Sequence, residues 1–150
     1  MRGFKPLLGS EPHTLILGKM PSQMSLQKQQ YYAHPRNAFW WVMSEIFEFS
    51  QHLPYSDRVS QLTHSQIAVW DVLLDCVRPG SLDSKIELHS ELANDFAGFL
   101  EANPDIKLIA FNGRAAEKIF MRRCADPFLE YLEGKTLPAV AIPEQRALSE

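Results

Sequence analysis

The chain has 150 residues, enough for one compact domain and too few for two comfortable ones. Apolar residues make up 45% of it and charged residues 22%, the proportions of a folded globular protein, which sets aside disordered, collagen-like and coiled-coil readings. Fifteen Lys and Arg stand against eighteen Asp and Glu, a formal net charge of −3, so a nucleic-acid partner would have to be held by a local patch and a pocket rather than by overall attraction.

No stretch approaches the roughly 18 apolar residues of a membrane span, and Met1 to Ser10 lacks the apolar core and cleavage site of a signal peptide. Cys76 and Cys124 make neither a disulfide framework nor a C-x-x-C pair, which leaves no four-cysteine metal or iron–sulfur site in this chain and points to a reducing, cytoplasmic address.

In chain order, Thr14-Leu15-Ile16-Leu17, stopped by Gly18, reads as a buried strand. A loop holding Pro21 and Pro35 follows. The spacing of Phe39, Val42, Met43, Ile46 and Phe47 then predicts a helix from Ala38 to about Phe49, with Asn37 placed to cap it. Ile67-Ala68-Val69-Trp70 is a second buried run, followed by a polar loop through Pro79, Gly80 and Asp83. Leu88, Leu92, Phe96 and Phe99 mark one face of a helix ending near Asn103-Pro104. Ile106 to Phe111 is the third strand, Asn112-Gly113 turns the chain, and Ala116, Ile119 and Phe120 give the next helix its buried side. Thr136 to Ile142 is a fourth strand weakened by Pro138. Trp40, Trp41 and Trp70 are expected in the core.

Continuous apolar strands alternating with amphipathic helices argue for an α/β protein whose parallel sheet is covered on both faces. Such sheets bind ligands beyond the carboxyl ends of their strands, here the loops opening at Gly18, Asp71 and Asn112. No repeat or linker divides the chain, so residues 1–150 are expected to form a single domain.

Nucleotide-binding glycine loops, a serine nucleophile elbow and H-E-x-x-H are all missing, and His13, His34, His52, His64 and His89 have no metal-ligand spacing. The dense feature is the stretch after the first strand: Gly18-Lys19-Met20-Pro21-Ser22, then Ser25, then Gln29 through Tyr31-Tyr32-Ala33-His34-Pro35-Arg36-Asn37-Ala38-Phe39-Trp40. So many polar and aromatic side chains between a strand end and a helix start suit a pocket. They also suit plain structure, with Tyr31 and Tyr32 packed on a sheet edge and Asn37 capping a helix.

The run LILGKMPSQMSLQKQQYYAHPRNAFW resembles the uracil-DNA glycosylase superfamily, specifically its hypoxanthine-DNA glycosylase branch, and the likeness continues through AVWDVLLDCVRPGSLDSKI and IKLIAFNGRAAEKIF. The resemblance implies a three-layer α/β/α sandwich around a four-stranded parallel sheet. It also implies a monofunctional, monomeric enzyme without metal or organic cofactor, which flips a deaminated base out of DNA and hydrolyses its N-glycosidic bond. Hypoxanthine is the expected base and uracil a second one; a mismatch-specific uracil or thymine glycosylase and a non-catalytic DNA-binding homologue are the alternatives.

By the same resemblance, Met20 stands where many relatives orient water with Asp or Asn, and Asn37 takes that role instead. Tyr32 corresponds to the aromatic ring laid against the flipped base. The segment Gly18, Met20, Pro21 and Ser22, with Ser25, lines the pocket through its amides. Asp71 lies near a base-reading position: a carboxylate can accept from hypoxanthine N1–H and suits adenine poorly, though a capping role fits it equally. DNA-backbone candidates are Lys19, Lys28, His34, Arg36, Arg78, Arg114, Lys118, Arg122 and Arg123, with the amides of Asn112-Gly113 at a helix start. The family's closing motif, approximately L-P-S-T-S-P, is degenerate here: Leu137-Pro138 is followed by Ala139-Val140-Ala141-Ile142-Pro143-Glu144, and the tail is expected to be short.

Overall fold

The computed structural model describes residues 2–75, 92–124 and 139–142. Its elements are β1 (Thr14–Gly18), α1 (Gln23–Lys28), α2 (Phe39–Phe47), α3 (Tyr55–His64), β2 (Ile67–Asp71), β3 (Leu73–Asp75), β4 (Leu92–Ala93), α4 (Phe96–Ala102), β5 (Leu108–Asn112), α5 (Arg114–Arg123) and β6 (Ala139–Ile142). Strands β2, β1, β5 and β6 lie side by side in that order, and all three pairings are parallel. The expected four-stranded parallel sheet is therefore present.

Strand alternation sorts the core into two halves. Leu15, Leu17, Ala68, Ile109 and Phe111 face Phe96 and Leu100 of α4 and Ala116, Ile119 and Phe120 of α5. Ile16, Ile67, Val69 and Ala110 face Phe39, Trp40 and Met43 of α2 and Leu62 of α3. The topology explains the split: the chain leaves β1 for β2 on one side, then crosses back over β1 to β5. With crossovers of one hand, that reversal puts the connecting helices on opposite faces. It also makes the space between the carboxyl ends of β1 and β5 the switch point where such sheets open a crevice.

Several elements depart from the sequence reading. The helix expected through Leu92 is replaced by β4, which pairs antiparallel with β3. Asn94 Nδ2 donates to the Asp71 carbonyl at 2.8 Å and Asp95 accepts from Gly98 N at 3.0 Å, so the helix begins only at Phe96. Leu88, Pro79, Gly80, Asp83, Arg78 and Cys76 lie outside the described residues. Helices α1 and α3 fall in what reads as loop. Trp41 is not a core residue: it is 51% exposed, whereas Trp40 is buried and Trp70 partly so. The resemblance places the degenerate serine motif on Ala139–Ile142, but that segment is β6, the fourth strand itself; Leu137, Pro138, Pro143 and Glu144 lie outside the described residues.

An amino-terminal strap runs along β2. Leu7 forms an antiparallel bridge with Val69 and Arg2 with Asp75, Gly3 N donates to the Leu74 carbonyl at 2.8 Å, and Trp70 Nε1 donates to the Phe4 carbonyl at 3.1 Å. The strap also reaches Tyr31, whose hydroxyl donates to the Lys5 carbonyl at 2.8 Å.

Burial holds the Tyr31 phenol far above its ordinary range, with the Asp71 carboxylate and Tyr32 adding to the shift, and burial raises Tyr55 as well. Burial also pushes the Cys124 thiol up from 9.0 to about 11. Each of these acids keeps its proton longer in the folded than in the unfolded chain. Their stabilisation is complete below the ordinary pKa and is lost as pH rises. Thermal midpoints should fall above pH 9.0 as the unfolded thiol ionises, and more steeply above 10.0 as the unfolded phenols follow. A midpoint flat across that range would contradict the burial of these groups.

Candidate active site

The loop after β1 is built by hydrogen bonds to two serines. Ser22 caps α1, its Oγ accepting from Ser25 N at 3.1 Å and donating to Ser25 Oγ at 3.1 Å. Ser25 Oγ in turn accepts from Ala33 N at 3.0 Å, which ties the short helix to the segment carrying the tyrosines. Ser25 is only 1% exposed, so its side chain is spent inside the loop and cannot face a DNA strand. Met20 is likewise turned into the core, leaving only its backbone to the site, and Pro21 is buried.

Tyr31 is clamped on all sides: its N–H donates to Tyr55 Oη at 3.0 Å and its carbonyl accepts from Trp40 Nε1 at 2.9 Å. The next residue reverses direction. Tyr32 sits in the left-handed region at φ 54°, an uncommon place for a bulky side chain and one that tends to mark functional segments. The turn sends the Tyr32 ring onto Phe39, stacked at 4.1 Å between centroids and 25° between planes. The phenol oxygen lies inside the fold, and the residue as a whole is half-buried.

Asn37 closes the His34-Pro35-Arg36-Asn37 turn. Its N–H donates to the His34 carbonyl at 2.9 Å, and Arg36 N donates to His34 Nδ1 at 3.1 Å. Ala38 is the formal helix cap, but the Asn37 side chain still serves the helix: Oδ1 accepts from Phe39 N at 2.9 Å. This bond fixes the plane of the Asn37 amide relative to the start of α2. Phe39, which reads in the sequence as an ordinary apolar helix position, thus holds Asn37 through its backbone and Tyr32 through its ring. No residue-type signal announces that double duty.

At the sheet edge, Gly18 stands in register with Asp71. A methyl group on Gly18 would lie 2.5 Å from Tyr32 Oη and 2.6 Å from Asp71 Oδ1, so both side chains fill the space that glycine leaves. Asp71 is 3% exposed. Across the switch point, Asn112 ends β5 and Gly113, at φ 100°, turns the chain into α5, a conformation that favours glycine. Arg114, Lys118 and Arg122, four apart and exposed, run down α5 from that turn. Lys19 is half-buried at the end of β1, Arg36 and Lys28 are exposed, and Arg123 lies beside Arg122. The structure thus brings Tyr32 and Asp71 together over Gly18 at one strand end and ties Asn37 to Tyr32 through Phe39. Arg114 opens α5 after β5, Lys118, Arg122 and Arg123 follow along that helix, and Lys28 ends α1. Among the described residues no three His, Cys, Asp or Glu side chains are grouped to hold a metal ion, and no helix is long and apolar enough to cross a membrane.

No family model matches the chain. It is 44% identical over 141 residues to a hypoxanthine DNA glycosylase of Methanosarcina acetivorans, an alignment covering 92% of this chain and 84% of that protein. The chain belongs to the hypoxanthine DNA glycosylase family. A second member, from Methanosarcina barkeri, is 37% identical over 114 residues, covering 75% of this chain and 71% of its own. A solution NMR structure from Methanosarcina acetivorans, described as a candidate uracil DNA glycosylase, superposes with a TM-score of 0.77 at 37% identity over 95% of this chain and 83% of that one. The glycosylase family and the α/β/α fold therefore agree with one another.

Proposed function

We propose that the protein is a DNA repair glycosylase that flips a deaminated base out of duplex DNA and hydrolyses its N-glycosidic bond, with hypoxanthine the preferred base and uracil a second substrate. The observation that carries the reading is the joint placement of Asn37 and Tyr32 by Phe39 at the carboxyl edge of β1, in a chain whose family members are named for this activity. The structure described as a candidate uracil DNA glycosylase favours uracil as the second base.

The Tyr32 ring, stacked on Phe39 through one face, offers a π-face to a flipped base, an interaction worth about 1–3 kcal/mol per stacked base. Asn37 is too weak a base to ionise water, so it orients one. Its amide oxygen accepts from the water, whose oxygen attacks the anomeric carbon as the bond to the base nitrogen breaks. The base leaves with the bonding electron pair and later takes up a proton; the attacking water gives its own proton to solvent. With the leaving group departing early, correct placement of water matters more than basicity. Arg114 and Lys19, with the Asn112-Gly113 amides, meet phosphates beside the flipped nucleotide, and Lys118 and Arg122 extend the track. The enzyme acts as a single-domain monomer in the cytoplasm.

The test uses duplexes carrying one deoxyinosine, one deoxyuridine or only undamaged bases, incubated with protein and then alkali. Scission at deoxyinosine first, deoxyuridine second and none in the undamaged duplex is expected. Intact strands in all three would overturn the reading.

A further inference from the structure

We infer that Asp71 is a positioning residue, which acts on the substrate through Tyr32 rather than by reading the base itself; the inference rests on the proposed role of Tyr32 as the surface for the flipped base. Three observations converge. Ile67, Val69 and Asp71 alternate onto the sheet face that carries α2, where Val69 shares a core with Phe39 and Tyr32. Gly18, directly in register with Asp71, supplies no side chain, and the vacated space receives both the Tyr32 hydroxyl and the Asp71 carboxylate, 2.5 Å and 2.6 Å from one and the same point. Finally, Tyr32 Oη and Asp71 Oδ2 are both buried, and Asp71 as a whole is only 3% exposed. The backbone under it is fixed as well, because the Asp71 carbonyl accepts from Asn94 Nδ2 at 2.8 Å.

A buried carboxylate crowded against the phenol oxygen over Gly18 restricts the tilt that this end of the ring can take. Tyr32 has one ring face on Phe39 and an unfavourable backbone conformation at φ 54°. Fixing its hydroxyl end would preorganise the remaining surface before a base arrives, and preorganisation lowers the ordering cost of binding. A carboxylate that instead met hypoxanthine N1–H directly would need an oxygen facing the space the base enters.

The deciding experiment is a double-mutant cycle on single-turnover excision from a deoxyinosine duplex, with Tyr32→Phe and Asp71→Ala singly and together. Each single change should slow excision by about 10-fold, and the double variant should be no more than about 3-fold slower than the worse single one, because residues acting through one contact do not add. Asp71→Asn, which keeps an acceptor oxygen in place, should restore most of the rate and also guards against a misfolded alanine variant. The same cycle read by denaturant unfolding, without DNA, should show the same non-additivity. Costs that multiply in excision would overturn the inference and assign Asp71 to direct contact with the base. Should wild-type protein leave every deaminated duplex intact, the activity assignment falls, and the unfolding cycle still decides whether Asp71 holds Tyr32.

Discussion

Replacing Asn37 with alanine should slow single-turnover excision of hypoxanthine by roughly 10²-fold or more, the usual scale for losing the group that places a reactant. Affinity for the duplex should barely change, since phosphate contacts dominate it and the Asn37 amide is not among them. Stability should fall only by about 1 kcal/mol, the typical cost of a lost side-chain bond to a helix-start N–H; here that bond is Oδ1 to Phe39 N at 2.9 Å. The three measurements separate the two roles the residue can have. A rate within about 3-fold of wild type, together with the same small stability loss, would leave Asn37 a helix cap and nothing more.

Gly18→Ala should be damaging in a different way. The added carbon would meet Tyr32 Oη at 2.5 Å, Asp71 Oδ1 at 2.6 Å and Tyr32 Cζ at 3.5 Å. Neither the strand nor the ring can easily give: β1 is paired on both sides, and Tyr32 is stacked on Phe39. Overpacking of this kind costs about 1–3 kcal/mol, and the displaced ring should lower excision by about 10–10²-fold through loss of base stacking. Adding Tyr32→Phe removes the oxygen nearest the new methyl, so the double variant should recover part of the lost stability measured by denaturant unfolding. Wild-type stability and rate in Gly18→Ala would show that the two side chains do not meet over this glycine.

The parts of this fold that depend on long apolar runs were legible from the residues. Leu15 to Leu17, Ile67 to Val69 and Ile109 to Phe111 could only be buried strands, and their separation by helices implied a parallel sheet with its ligand end at Gly18, Asp71 and Asn112. What could not be read is held by single contacts. Helix α3 carries only a short stripe, Leu62 fully buried with Tyr55 and Val59 partly so, which the sequence reading passed over, and α1 buries only Ser25 and is secured by a serine hydroxyl. Leu92 fitted a helical period with Phe96 by coincidence of spacing; Asn94 and Asp95, which stop the helix there, act through specific side-chain bonds.

The site divides along the same line. The loop from Gly18 to Trp40 stood out because polar and aromatic residues crowd it, and the family resemblance then singled out Tyr32 and Asn37 within it. That Gly18 is required for space and not for an unusual backbone angle is a fact of juxtaposition between segments far apart in the chain, and that Phe39 holds both candidate residues depends on how the loop folds back on the start of α2. The burial of Met20 and Ser25 is of the same kind: a residue's type says what it can do, and only packing says which way it faces.

The strap from Arg2 to Leu7 has a consequence for handling the protein. Strand β2 is an outer strand, and an outer strand stripped of its cover presents unpaired amide and carbonyl groups that recruit neighbouring molecules. Proteolytic trimming ahead of His13 would bare that rim and cut away the Lys5 carbonyl that anchors Tyr31. Precipitation and loosening of the loop that carries Tyr31, Tyr32 and Asn37 would then arrive together, from one clipped peptide bond.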